Sequence, residues 1–308
     1  MEIKRTVVNE LHKPARKNFK RRRTIVKGLH DLFQADLVEM IPYSKVNKSF
    51  KYILVVINAF SKFAWAKPLK TKNGRDVTKA MRSILILTKP PKNLQTDQGK
   101  EFFNADFQKL MKDFNINHYT TYSSVKASIV ERLNRTLKGM MWKEFSYRGN
   151  YKWTDILEKL VTKYNNTYHK TIGMKPINVN SKNENIILKQ SFTKLKTIDP
   201  RGLKFKSGDS VRISKFRDLF EKGYTPNWSN EIFKIKKVQM TNPTTYILED
   251  EEKKPILGGF YEKELQKVTY PDVYLVEKVI KRKRNKVLVK WLGLPSSKNS
   301  WIDSKNKL

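Results

Sequence analysis

Three carboxylates stand at positions that local sequence pattern assigns to the ends or faces of regular elements. Asp97 follows a short buried-strand pattern, Asn93-Leu94-Gln95-Thr96, and precedes the turn Gln98-Gly99-Lys100. Glu131 falls in the first turns of a helix whose core side is Ile129, Val130, Leu133 and Leu137. Arg135 and Lys138, four and seven residues on, share its stripe and set basic groups beside the carboxylate. Asp36 lies in the alternating stretch Leu32-Phe33-Gln34-Ala35-Asp36-Leu37-Val38-Glu39-Met40. Mg²⁺ takes hard oxygen donors in octahedral geometry, keeps several waters and completes its shell with phosphate oxygens. Two such ions can activate an attacking oxygen and stabilise a leaving oxygen in an in-line phosphoryl displacement. Asp36, Asp97 and Glu131 are therefore the candidate catalytic and metal-binding set, for two Mg²⁺ (or Mn²⁺) ions. The chain has 29 acidic residues, so three in order mean little alone: Asp97 also suits a turn, and Glu131 a helix surface. Glu39 is three residues from Asp36 and so points to the other side of the strand. Asp106 reads as solvated.

The elements that must position these residues read as an α/β domain over residues 28–180. Strands over 33–40, 52–59 and 64–68 follow one another as an antiparallel meander. The second contains the unbroken run Ile53-Leu54-Val55-Val56-Ile57, as expected of a strand buried on both faces. A helix is expected over 74–87, then the Asp97 strand and a helix over about 101–114, with Phe103, Phe107, Leu110 and Phe114 on one face. A short strand at 116–121, the Glu131 helix within 123–145 and a helix over 153–168 complete the domain. The loop 122–128 contains Ser123 and Ser124, which also suit a helix cap. The lone His118 reads as structural. Residues 181–202 read as a linker. Residues 203–268 change period: short strands separated by turn signals such as Lys206-Ser207-Gly208-Asp209 predict a small β-barrel. Its Arg212, Lys215, Arg217 and Lys222 are candidate phosphate contacts, each also readable as a solvated charge. Residues 272–308 form a third module of short strands.

The chain has 308 residues, 39% of them hydrophobic and 11% aromatic, so folded cores are expected. Against the 29 acidic residues stand 64 Lys and Arg, a net charge of +35. The partner this implies is a polyanion, most simply DNA, bound in a sequence-tolerant and salt-dependent way. A basic RNA-binding protein or a lysine-rich coding bias are the alternatives. Residues 1–27 are basic and poorly patterned; Lys13-Pro14-Ala15-Arg16-Lys17 and Lys20-Arg21-Arg22-Arg23 suit a nuclear-localisation or DNA-contact arm, or a solvated terminus. The absence of cysteine excludes disulfides and any Cys-containing zinc site. No apolar run reaches the roughly 18–20 residues of a membrane span, and no secretory signal is visible.

The blocks QADLVEM, LQTDQGKEF and ASIVERLNRTLK resemble, in order, the three catalytic blocks of retroviral-type integrases, above all those of Polinton/Maverick DNA transposons and related retroelements. In that family an Asp, an Asp and a Glu bind the metals; here they fall on Asp36, Asp97 and Glu131. The resemblance implies an RNase H-like core in which first-strand, fourth-strand and helix carboxylates converge. It also implies a mobile catalytic loop at 122–128 and a closing segment at Met174-Lys175-Pro176-Ile177-Asn178-Val179. GDSVRISK, GYTPNWSNEIF and FYEKELQKV resemble the carboxy-terminal DNA-binding barrel of these integrases. Many of them also carry an amino-terminal His/His/Cys/Cys zinc domain; with no Cys here, either it has been lost or this chain starts downstream of it. Residues 272–308 resemble a partial chromodomain, ending where that module's terminal helix should begin. That family binds methyl-lysine in an aromatic cage by cation–π attraction. Tyr274 and Trp291 match two cage positions, the third is Leu294, and Trp301 matches a structural position. The function implied is that of a transposable-element integrase in the nucleus, a homo-oligomer joining DNA 3′-ends to target DNA, with chromatin or a histone tail as a further partner. The competing readings are a domesticated or inactive integrase-derived DNA- or chromatin-binding protein and an RNase H-like nuclease.

Overall fold

The structure, a computed structural model, describes residues 2–16, 18–22, 24–120, 127–191, 202–215 and 224–307. The chain divides into two compact units, Thr24–Leu195 and the combination of Met1–Arg23 with Lys196–Leu308.

After the opening helix α1 (Glu2–His12), the chain enters the Thr24–Leu195 unit. Its strands are β1 (Leu32–Glu39), β2 (Tyr52–Asn58), β3 (Ala64–Leu69), β4 (Asn93–Thr96) and β5 (Asn117–Thr120). They form one sheet in the order β3-β2-β1-β4-β5. β1, β2 and β3 are the expected antiparallel meander, whereas β4 joins β1, and β5 joins β4, in parallel. Every residue of β2 is buried, because its alternate side chains enter two different cores. Leu54 and Val56 face α2 (Gly74–Leu85) and α3 (Ala105–Asp113), through Val77, Met81, Phe107 and Leu110. Ile53, Val55 and Ile57 face α4 (Ser128–Arg148) and α5 (Leu157–Asn165), through Val130, Leu133, Leu137, Leu157 and Leu160. The result is a three-layer α/β/α unit, and α4 lies along the face that β1 and β2 offer.

Element boundaries differ from the sequence expectation where caps decide them. α3 begins at Ala105 rather than near residue 101, because Asn104 accepts from the Phe107 amide at 3.0 Å and caps the helix there. Phe103 consequently lies outside the helix and is 42% exposed, while Phe102 is buried. α5 is also shorter than the expected 153–168 helix. The segment expected as linker starts with a helix, α6 (Glu184–Ser191), whose Ile187 packs with Val26, Leu32, Phe60 and Ile172. A Glu184 carboxylate oxygen accepts from the Leu29 amide at 2.9 Å, tying α6 to the entrance of β1.

The second unit contains β6 (Ser210–Ile213), β7 (Phe233–Gln239), β8 (Thr245–Glu249), β9 (Pro255–Tyr261) and β10 (Leu265–Lys267). They pair antiparallel in the order β10-β6-β7-β8-β9 around Phe205, Val211, Ile235, Tyr246, Leu248 and Leu265. Among the described residues no ladder joins β9 to β10, so the expected barrel is a five-stranded sheet without hydrogen-bonded closure. Residues 1–27, expected to lack pattern, supply α1 to this unit. Its Val7 and Leu11, one turn apart, are buried. The segment before β7 satisfies the carbonyls at and just beyond the end of α1: Leu11 O accepts from Asn227 N at 2.9 Å, His12 O from the Asn227 side chain at 3.0 Å, and Lys13 O from the Trp228 indole at 2.8 Å. A three-stranded antiparallel sheet follows, β11 (Val276–Lys283), β12 (Lys286–Trp291) and β13 (Ser300–Asp303), in that order.

Candidate active site

Strand register sets two of the three candidate carboxylates side by side. In the parallel β1/β4 ladder Gln34 is opposite Gln95. Two residues further along each strand stand Asp36 and Asp97, both partly buried, the second just past the end of β4. Asp97 accepts from the Gly99 amide at 3.3 Å, so the turn that ends the strand also fixes its side chain. Glu131 is exposed in the first turn of α4.

A buried amide holds the three elements together. Gln34 is fully buried; its Nε2 donates to Gln95 Oε1 at 2.9 Å, which ties β1 to β4. Its Oε1 accepts from the amides of Ile129 and Val130 at 3.1 and 3.0 Å. Those are two of the orphan donors of the α4 amino terminus, whose preceding residue makes no side-chain cap. One side chain thus sets the strand carrying Asp36 against the strand carrying Asp97 and against the turn carrying Glu131. Asn134, one turn after Glu131, donates to Asp36 Oδ2 at 2.7 Å, and the Leu37 amide donates to Asp36 Oδ1 at 2.8 Å.

Burial, first, and then the charges of Asp97 and Glu131 push the Asp36 carboxyl up to about 6, against the opposing hydrogen bonds from Leu37 and Asn134. The three groups therefore share one electrostatic neighbourhood. Among the described residues no three acidic or His side chains are gathered closely enough to hold an ion as they stand. The donor set nevertheless fits a hard divalent cation by kind: a desolvated carboxylate crowded by two others is relieved by positive charge, and the adjacent Asn134 Oδ1 is a buried acceptor without a partner.

Behind the site, His118 is structural. Gln108 Nε2 donates to its Nδ1 and its Nε2 meets Thr96 Oγ1, both at 2.9 Å, while Thr96 Oγ1 donates to Asp97 O at 2.8 Å. With Thr96 donating to Asp97, the His118 proton belongs on Nε2. Burial lowers its pKa to about 4.

The remaining expected contacts divide. Arg135 and Lys138 are exposed on α4, and Lys215 is exposed beyond β6. Arg212 corrects the expectation of a phosphate contact: it is 3% exposed, and its Nη1 donates to Ser229 O at 2.9 Å and Asn230 O at 2.6 Å. Its guanidinium ties β6 to the backbone of Ser229 and Asn230. Arg217 and Lys222 lie outside the described residues, as does most of the loop expected at 122–128. Tyr274 and Trp291 are neighbours, with ring centroids 6.4 Å apart. Gln34 and Asn134 are not marked by the sequence pattern, whose one trace of them is an amide at a buried position of β1.

Comparison with known proteins supports the core assignment. The integrase core domain family matches residues 30–123. The transposon-derived protein F54H12.3 of Caenorhabditis elegans is 32% identical over 207 residues, 67% of this chain and 68% of that protein. The Pro-Pol polyprotein of feline foamy virus is 29% identical over 140 residues, 45% of this chain but 12% of the polyprotein. A chain of the simian T-cell lymphotropic virus intasome, solved in complex with the PP2A regulatory subunit B56 gamma, superposes with a TM-score of 0.58 at 16% identity. That alignment covers 87% of this chain and 91% of the other, and at such identity it speaks for the fold. The sequence, with its parallel β1/β4 pair and the helix docked across them, belongs to the family of transposon-derived proteins built on an integrase core domain.

Proposed function

We propose that this chain is the integrase of a transposable element, of the Polinton/Maverick or a related retroelement class, and that it joins DNA 3′-ends to target DNA by phosphoryl transfer. The observation that carries the reading is placement: Asp36 and Asp97 stand two residues beyond the paired Gln34 and Gln95 on adjacent parallel strands, and the same Gln34 holds the first turn of α4, which carries Glu131. In the reaction the 3′-hydroxyl oxygen of the element end attacks a target phosphorus. The new P–O bond forms as the target's P–O3′ bond breaks; the hydroxyl gives its proton to solvent and the departing 3′-oxygen takes one up.

Asp36, Asp97 and Glu131 would hold two Mg²⁺ or Mn²⁺ ions; when bound, these ions would supply Lewis-acid stabilisation of the attacking and leaving oxygens. The chain's own part is placement. Gln34 keeps both strand ends and the α4 amino terminus in register, and Asn134 fixes the Asp36 carboxylate. Arg135 and Lys138, exposed on the Glu131 stripe, offer charge to the phosphates of the element end. Joining two ends needs more than one copy of the site, so we propose a homo-oligomer as the working form and the nucleus as the compartment in which it meets its DNA.

The test is strand transfer by the purified protein, with a labelled DNA end, a plasmid target and Mg²⁺ or Mn²⁺. Wild type should give joined product. Asp97→Asn and Glu131→Gln should give none while DNA binding stays within about twofold, under 0.5 kcal/mol. Product from either variant removes the catalytic assignment. Binding without product from wild type supports the domesticated, DNA-binding reading instead.

A further inference from the structure

The tip of the last sheet carries the densest run of positive charge in its unit. Five of the six residues from Lys281 to Lys286 are basic, and all six are exposed. The turn between β11 and β12 places Arg284 at φ +47°, a left-handed conformation that glycine or asparagine adopts at less cost. Lys283 is directly opposite Lys286 across the ladder, a like-charge pair that weakens a hairpin in isolation. The ion pair of this sheet, Lys290 with Glu277 at 2.9 Å, belongs to residues away from the tip. Among the described residues none of the five tip cations makes an ion pair, although Asp303 is opposite Lys286 on β13. Local conformation and cross-strand electrostatics are both given up to keep cations here.

Register shows which way they face. Lys281 is opposite Leu288 and Leu288 is opposite Trp301, so Lys281, Lys283, Lys286 and Trp301 share the outer face. Trp301 is 45% exposed on that face. Val287 and Val289, both buried, mark the inner face, and by alternation Trp291 is on their side. The two aromatics matched to a methyl-lysine cage are both hydrogen-bonded within the protein: the Trp291 indole donates to Ser300 Oγ and the Tyr274 hydroxyl to Glu251 Oε1, each at 2.9 Å.

We propose that this terminal sheet is a DNA-contacting module, its β11–β12 tip engaging the phosphates of duplex DNA through Lys281, Lys283, Arg284 and Lys286, with Trp301 packed beside them. The occupant follows from charge complementarity: an unpaired row of long, exposed cations around a hairpin turn matches a regularly spaced polyanion. A basic peptide, such as a methylated lysine tail, would be repelled by the same row. The proposal adds a binding surface to the integrase reading, but its test is independent of joining chemistry.

The experiment measures the salt dependence of full-length protein binding to a labelled random-sequence duplex by fluorescence anisotropy. The quadruple variant Lys281→Gln, Lys283→Gln, Arg284→Gln and Lys286→Gln is compared with a charge-matched control, Lys45→Gln, Lys79→Gln, Lys109→Gln and Lys112→Gln, all at exposed positions. Each phosphate that is no longer neutralised takes about 0.9 off the log–log slope, so the tip variant should fall by about 3.6 and bind at least tenfold more weakly at 150 mM salt. The control should fall by under about 1 by the same rule. Equal slopes in the two variants overturn the proposal. So does capture of a trimethyl-lysine peptide that Trp291→Ala abolishes while the DNA slope stays at the wild-type value. A duplex RNA of equal length should compete poorly; equal competition would redirect the site to shape-independent phosphate binding and overturn the choice of DNA. The Asp97→Asn protein should keep the wild-type slope, so failure to join DNA and failure of the tip to bind it are separate outcomes.

Discussion

Gln34 controls three backbones with one amide, and its substitution tests whether placement of the carboxylates, apart from their identity, matters. Gln34→Leu keeps the volume close but takes away the carbonyl oxygen that the Ile129 and Val130 amides donate to, in a largely buried setting. The expected loss is about 2–3 kcal/mol of local stability, read as faster hydrogen exchange at Ile129 and Val130, with joining reduced although Asp36, Asp97 and Glu131 are untouched. Unchanged exchange at those two amides would show that α4 is held by its apolar face alone. His118 gives a pH prediction. Its folded pKa, about 4, lies below the ordinary 6.5, so between those values the unfolded chain binds more protons and stability rises with pH. The contribution is complete above about pH 6.5 and is lost as pH falls toward 4, where a proton on Nδ1 would confront the Gln108 amide donor. Discounted for partial exposure, it amounts to about 1–2 kcal/mol. His30 and His169 shift in the same direction. The informative quantity is therefore the difference between wild type and His118→Asn in denaturation midpoint at pH 7.5 and pH 5. Identical pH dependence in the two proteins would remove His118 from the account. The sequence exposed the carboxylates because strand ends and helix faces leave a periodic trace. It hid Gln34 and Asn134, because a hydrogen-bonded amide has no period and its value depends on partners 61 to 98 residues away.

At the scale of elements, sequence pattern located the meander and the Glu131 helix, each of which contributes many apolar residues to a core, but not the parallel pairing of β4 with β1. It failed where an element buries little. α1 buries Val7 and Leu11 while Ile3 and Val8 are 45% and 40% exposed, too thin a stripe to distinguish from a basic tail. α6 buries Ile187 alone. Arg212 was misread for the related reason that charge alone cannot say whether a strand residue is covered; by alternation it faces away from the core side of Val211 and Ile213, and it is the Ser229–Asn230 backbone that covers it. If α1 is part of its unit rather than an arm, Leu11→Ala should act on the sheet. Such a truncation costs about 2–4 kcal/mol at a buried site. It should speed amide exchange in β6 and β10, beside the Asn227–Trp228 contacts that hold α1, and shift the Trp fluorescence of Trp228. Protection in β6 and β10 equal to wild type would return α1 to the status of an appended helix.

Charge is a property of the whole molecule, and here it makes a prediction that no single residue carries. A net +35 exceeds what solubility needs, and basic residues occur in α4, beyond β6, at the β11–β12 tip and through residues 1–27. Two causes produce such a composition. A polyanion partner would engage the cations together, whereas a lysine-rich coding bias would scatter them without a shared ligand. Salt separates the two. An integrase that holds an element end and a target segment should contact on the order of ten phosphates, giving a log–log slope near −9 and a loss of about 10⁵ in affinity between 50 and 200 mM salt. A compositional surplus that meets DNA through one small patch should give a slope shallower than about −3. Chelating divalent ions should leave the steep slope intact and abolish joining, because binding draws on cations distributed over the molecule and chemistry on three carboxylates. A steep slope that disappears with the chelator would instead place the ions between protein and DNA, and would require the carboxylates to act in binding as well as in the reaction.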